Sequence, residues 1–223
     1  SLGRRGRVRR VRAVGGRFQW KDAGETPNVM LSVADFGEGV PPVLLEVQNL
    51  TAAAGAPHMN AYRGARVGFV IQGAGGHYMG NDGGNFYDGA GKRVHQVKPG
   101  GAALHLQNFV DAVRAEDASM LNAGIDDLVQ SCAPIHLANA SLRLGQAASD
   151  REILDAIGDW GDAAESVERL RALLAAHGLA EEPLVLGPWL EFDPDTGRCV
   201  GGQAERARAI LAPPRRAGYE LSV

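Results

Sequence analysis

Apolar and charged positions mix from Val8 to Phe18, with Val8, Val11 and Val14 set among arginines. That pattern predicts a strand with a charged face. KDAGETPN (21–28) is a turn cluster, with Gly24 permissive and Pro27 fixing its own φ. Two denser apolar runs follow, VMLSVADFG (29–37) and VLLEVQNL (43–50), joined by a short EGVPP segment. They predict an antiparallel hairpin. A long loop (51–65) carries His58, Asn60, Tyr62 and Arg63 near its end. RVGFVIQG (66–73) and GHYMG (76–80) predict further strands. NDGGN (81–85) is a tight turn, and FYDGAGKRVHQV (86–97) reads as another hairpin.

The period then changes. Leu104, Phe109, Val110 and Val113 fall on a helical stripe within 101–116. A second helix is predicted over 125–145, with Ile125, Leu128, Val129, Cys132, Ile135, His136, Asn139 and Leu142 on one face. Placement on that stripe makes His136 a core histidine. Pro134 should kink the helix or break its first turns, and Gly145 is a natural stop. Ser149 with Glu152 matches a capping box, so a new helix starts there. Segment 163–178 is a charged amphipathic helix, 184–197 is extended, and 204–212 is a short helix.

Strands first and helices afterwards mean α+β rather than alternating β/α. The expected object is an open, mostly antiparallel β-sheet with helices packed on one face. No internal repeat is evident. A basic segment (1–10) precedes a single domain over 11–223.

Composition supports a folded chain. Of 223 residues, 45% are apolar, which excludes a disordered class. A chain of this size buries roughly 70% of its unfolded surface. No apolar run reaches the roughly 18–20 residues of a membrane helix, so no membrane partner is expected. Seven of the 23 basic residues stand within the first 17 positions, among no acids; the remaining 16 face 26 acidic residues. An acidic body without an aromatic-studded basic face argues against a nucleic-acid partner. Cys132 and Cys199 have no CxxC or Cys/His spacing around them. A reducing, cytoplasmic location is the expectation.

The candidate motifs are few. Gly73, Gly75, Gly76 and Gly80 follow a strand, but Tyr78 stands where GxGxxG needs its third glycine and no helix is predicted after it. A hairpin is the better account. DPDTG (193–197) opens like a calcium loop, but Ala204 stands where the loop's glutamate belongs. His58, Asn60, Tyr62 and Arg63 on the longest loop, and His105 at a helix start, can supply hydrogen bonds to a polyhydroxyl ligand. His58, His77 and His95 are a conceivable metal set.

VRAVGGRFQWKDAGETPN (11–28), LEVQNL (45–50), GGAALHLQNFVDAVRAED (100–117), LNAGIDD (121–127), HLANASLRLG (136–145) and LGPWLEFDPDTGRCVG (186–201) occur here in order. Together they resemble the second domain of the Gfo/Idh/MocA oxidoreductases. That family places a dinucleotide-binding Rossmann domain first, with a proton-transferring lysine in an E-K-P segment, and follows it with an open antiparallel sheet. Neither the Rossmann half nor that lysine is found in these 223 residues, so the resemblance implies the second domain alone.

The resemblance implies the substrate-side domain of an NAD(P)-dependent oxidoreductase acting on a sugar or polyol, inactive without its dinucleotide-binding half. It places His58, Asn60, Tyr62, Arg63 and His105 beside the substrate and assigns no catalytic, cofactor or metal residue to this chain. NAD or NADP belongs to the complete enzyme, with none expected for the chain alone. The expected partners are a sugar-like small molecule, a Rossmann domain in cis or trans, and a second copy through the open sheet. Two alternatives stand beside it. One is a non-catalytic oligomerisation or scaffold module, with Leu44, Glu46 and Gln48 in its interface. The other is a non-redox, metal-using relative that modifies glycosides.

Overall fold

The computed structural model describes residues 7–100 and 102–212. Six residues of the basic segment, Gly101, and 213–223 lie outside the described residues. In chain order the elements are β1 (Arg10–Gly16), β2 (Val29–Asp35), β3 (Val43–Gln48), β4 (Phe69–Gly73), β5 (Gly76–Asn81), β6 (Gly83–Asp88), β7 (Arg93–Val97), α1 (Ala102–Ala115), α2 (Ile125–Arg143), β8 (Gln146–Ala148), α3 (Asp150–Ile157), α4 (Ala163–Ala175), β9 (Leu184–Leu186), β10 (Leu190–Phe192), β11 (Cys199–Val200) and α5 (Ala204–Leu211). The class is α+β with open antiparallel sheets. Two compact units divide the chain: residues up to Gly55 with those from Val129 onward, and Ala56–Leu128.

The first unit is built on a seven-stranded sheet whose main path runs β11-β10-β1-β2-β3, with β9 pairing β1 and β8. β2 is its centre. Its unbroken apolar run puts Val29, Leu31 and Val33 on one face and Met30, Ser32 and Ala34 on the other, all buried. A strand apolar on both faces needs cover on both. Ile153 and Ile157 of α3, with Val167, Leu170 and Leu174 of α4, cover the first face. Leu137, Ala138 and Leu142 of α2, with Ala204 and Ala207 of α5, cover the second. The helices therefore occupy both faces of this sheet, where one was expected. Each fully buried leucine or isoleucine contributes about 1.5–3 kcal/mol.

The buried side of α2 also differs from expectation. Pro134, Leu137, Ala138, Ser141 and Leu142 face the sheet, at three- and four-residue steps. Small Ala138 and Ser141 let the helix approach closely, and the Ser141 hydroxyl donates to Pro188 O (2.7 Å) while accepting from Ala13 N (3.2 Å). His136 is exposed rather than a core histidine, as are Ile125, Leu128 and Val129. The helix runs unbroken through Pro134, whose buried ring lies in the sheet-facing stripe.

Leu186 pairs with Val14 and Leu190 with Val11, so three residues, Gly187–Trp189, face only Arg12 and Ala13. This is a β-bulge. Gly187 is required there: a Cβ would fall on the Ser141 hydroxyl and backbone. The Leu44, Glu46 and Gln48 side of β3 is not a free interface. Leu44 packs on the α3–α4 core, and Glu46 accepts from Ser166 Oγ (2.6 Å) and pairs with Arg169, both on α4.

The second unit contains a four-stranded antiparallel meander, β4-β5-β6-β7. The Gly-rich segment 73–80 is a hairpin: Gly73 pairs with Gly76, and β5 rather than a helix follows. Phe69, Tyr78, Phe86 and His95 form a row across one sheet face, with ring centroids 5.6, 4.8 and 6.0 Å apart. Phe69, Ile71, Phe86 and Val97 are exposed.

Candidate functional site

All five residues expected at a substrate lie in the second unit. Tyr62 and Arg63 belong to a tight turn in which Tyr62 N donates to Ala65 O (2.9 Å) and Ala65 N to Tyr62 O (2.8 Å). Arg63 (φ 48°) and Gly64 (φ 85°) supply the two left-handed positions of a type I′ geometry. Arg63 folds back on its neighbour. Its Nε donates to Tyr62 Oη at 2.9 Å, and its guanidinium lies 5.3 Å from the Tyr62 ring centroid. The pair therefore presents one preorganised unit, a phenol oxygen beside a cation. Asn60 turns its Oδ1 to Ala61 N (2.9 Å). His58 is exposed on the same loop.

His105 stands on α1, exposed, and makes no hydrogen bond or ion pair among the described residues. Its helical neighbours are already engaged. Asn108 ties α1 to the following loop, donating to Met120 O (2.7 Å) and accepting from Asn122 N (2.9 Å). Asp111 accepts from Gln107 Nε2 at 2.7 Å. The loop itself is pinned by Asp117, which accepts from Ser119 Oγ and Ser119 N at 2.7 and 2.9 Å. Those bonds hold the Asp117 carboxyl below its ordinary range. Asn108 of the H-x-x-N-F segment thus positions His105's helix.

The structure joins Tyr62 to Arg63; no hydrogen bond or ion pair of His58 or His105 links them to that pair among the described residues. An open groove of about 630 Å³ lies on the β4–β7 meander, lined by Ile71, Tyr78, Phe86, Val94 and Val97 among others, and by none of the five. His77 and His95 do not converge on a metal. His77 stacks on Tyr87 (4.9 Å) on one sheet face, while His95 lies beside Phe86 on the other. No cluster of three or more metal-ligating side chains occurs among the described residues.

Compared with family models, curated proteins and solved structures, the chain matches none. Among the described residues no helix is long and apolar enough to cross a membrane.

A second constellation, in the first unit, belongs to none of the sequence motifs above. Arg10 and Arg12 project from the same face of β1, two residues apart. The Arg10 guanidinium lies 4.7 Å from the Trp189 ring and 5.3 Å from Trp160; Arg12 lies 5.4 Å from Trp189. The two indoles are 5.4 Å apart. Asp35 pairs with Arg10 at 2.8 Å. Burial, and then the charge of Arg10, hold the Arg12 pKa below its usual value. The only sequence signal is the alternation of arginines in RRVRAV (9–14), which places Arg10 and Arg12 on one face of a strand.

Proposed function

We propose that this chain is the substrate-side domain of an NAD(P)-dependent oxidoreductase acting on a sugar or polyol, as its resemblance to Gfo/Idh/MocA second domains implies. The observation that carries the reading is the surface of α1. It presents His105 among exposed Leu104, Leu106, Phe109 and Val113. Uncovered large apolar residues around a polar candidate mark a face that another domain covers. The open antiparallel sheet with helices also fits the reading.

The described residues do not fit the dinucleotide. Its phosphates need a glycine turn opening a helix N-terminus, and the Gly73–Gly80 segment opens a strand. The chain's own part is therefore binding and orientation. Tyr62 Oη and the Arg63 guanidinium hold ligand hydroxyls in one geometry. His105 offers one ring nitrogen as donor and the other as acceptor to a further hydroxyl. Position rather than proton abstraction is what these groups supply.

The test combines the purified chain with a separate dinucleotide-binding domain of that family and follows polyol-dependent formation of NADH or NADPH. Activity appears only in the mixture, and His105→Ala raises KM about tenfold or more, the loss of a hydrogen-bonding partner. Micromolar binding of NAD to the 223-residue chain alone, measured calorimetrically, contradicts the reading.

A second reading has its own support in the aromatic row Phe69–Tyr78–Phe86–His95, with Phe69, Phe86 and His95 exposed, and its groove. On it the chain is an interaction module whose β4–β7 face meets a second copy. A strict monomer at high concentration in the ultracentrifuge removes it.

A further inference from the structure

We propose that Arg12, flanked by Trp189 and with Arg10 beside it, is a binding site for a small oxyanion: a carboxylate or phosphate group. The charges around Arg12 are already answered by other groups or turned away. Arg10 has Asp35 at 2.8 Å. Arg12 uses only its Nε, donating to Gly187 O at 3.0 Å; its two terminal nitrogens make no hydrogen bond among the described residues. Glu191, the cross-strand partner of Arg10, turns its carboxylate toward Gly201 and forms no ion pair among the described residues. Asp159, next to Trp160, is exposed and also forms no ion pair among the described residues. Arg12 thus keeps a half-buried fork of donors with no anion against it among the described residues.

The site is built rather than incidental. The bulge at Gly187–Trp189 delivers both the carbonyl that anchors Arg12 Nε and the indole that flanks its guanidinium. Trp160 in turn packs against Trp189 and the Arg10 guanidinium. A planar fork held at its Nε and flanked by the Trp189 indole has lost part of its rotamer freedom in advance, which favours bidentate recognition of an oxyanion. Burial and a like charge penalise the bare Arg12 cation, and an arriving anion offsets both.

Fluorescence reads the site directly. The chain has three tryptophans, and Trp20, exposed in a loop, is removed as Trp20→Phe so that Trp160 and Trp189 report alone. This W20F protein is titrated with inorganic phosphate and, separately, with acetate, against sodium chloride at matched ionic strength. A saturable change with either oxyanion, absent with chloride, is expected. Whichever probe saturates at the lower concentration identifies the preferred group. Arg12→Gln weakens that binding about tenfold or more, in line with loss of a charge-assisted pair. Arg12→Lys, which keeps the charge but not the fork, weakens it less. Circular dichroism shows whether each variant is folded. No saturable change with either probe, an equal response to chloride, or unchanged affinity in folded R12Q or R12K overturns the proposal.

Discussion

Ser32 and Ser141 are two buried hydroxyls with opposite circumstances. Ser32 lies at the middle of β2 on the face covered by α2 and α5, and its Oγ is buried without a partner among the described residues. Such a group keeps its desolvation penalty, about 1–3 kcal/mol. Ser32→Ala is therefore expected to stabilise the fold by about 1 kcal/mol, seen as a higher urea midpoint at unchanged slope. Ser141 makes two bonds, to Ala13 N and Pro188 O, so Ser141→Ala leaves buried backbone groups unanswered and lowers the midpoint. Equal shifts for the two alanine variants would show that Ser32 is satisfied after all. At this scale the sequence offers little guidance. Ser32 and Ser141 are the same residue type in similarly apolar surroundings. Only the register of β1 against the bulge, a long-range pairing, separates them.

Helix α3 carries its own start signal, and the structure bears it out. Ser149 Oγ accepts from Glu152 N at 3.3 Å, while the Glu152 carboxylate accepts from Ser149 N at 2.7 Å and Ser149 Oγ at 2.6 Å. Bonds from the Ser149 side chain, then its backbone, hold the Glu152 carboxyl below its ordinary value. Asp22, Asp117 and Asp193 shift the same way. A carboxyl depressed in the fold contributes stability above its unfolded pKa, about 4 for Asp and Glu, and loses it as pH falls through the folded value. Tm is expected to hold from pH 7 to about 5 and to fall below about 4. Glu152→Gln keeps the box geometry but removes one titrating group. Its Tm should drop less between those limits, and parallel curves for the two proteins would refute the assignment. Local signals of this kind were readable: the cap, the stops and the first three strands all lie close to their expected bounds. What the residues concealed was which face each element buries. Ile125, Leu128, Val129 and His136 share a helical stripe, yet the stripe turned to the sheet is Pro134, Leu137, Ala138, Ser141 and Leu142. Small size, which allows close approach to β1, outweighed apolar content. The VMLSVA run of β2 did hold the clue that both sheet faces are covered, because a strand with one solvated face alternates.

For the whole molecule, the deciding property is apolar surface that the chain leaves uncovered. Leu104, Leu106 and Phe109 of α1 are 67%, 65% and 56% exposed, beside the candidate ligand residue His105. By contrast, Leu31 and Leu170 in the first unit are almost wholly buried. Side chains that touch little cost little to replace, within about 0.5 kcal/mol at exposed positions. The double substitution Leu106→Glu with Phe109→Glu is therefore expected to leave the unfolding midpoint nearly unchanged. It should abolish activity in the mixture with a dinucleotide-binding domain, because two carboxylates then occupy the face that domain must cover. Sedimentation of the wild-type chain with and without that domain gives the matching physical readout, a complex that the double variant fails to form. If the variant instead unfolds at lower urea, α1 is packed and its surface is no docking face. If it stays folded and still forms the active complex, the partner covers another face, and the aromatic row of β4–β7 becomes the next surface to substitute.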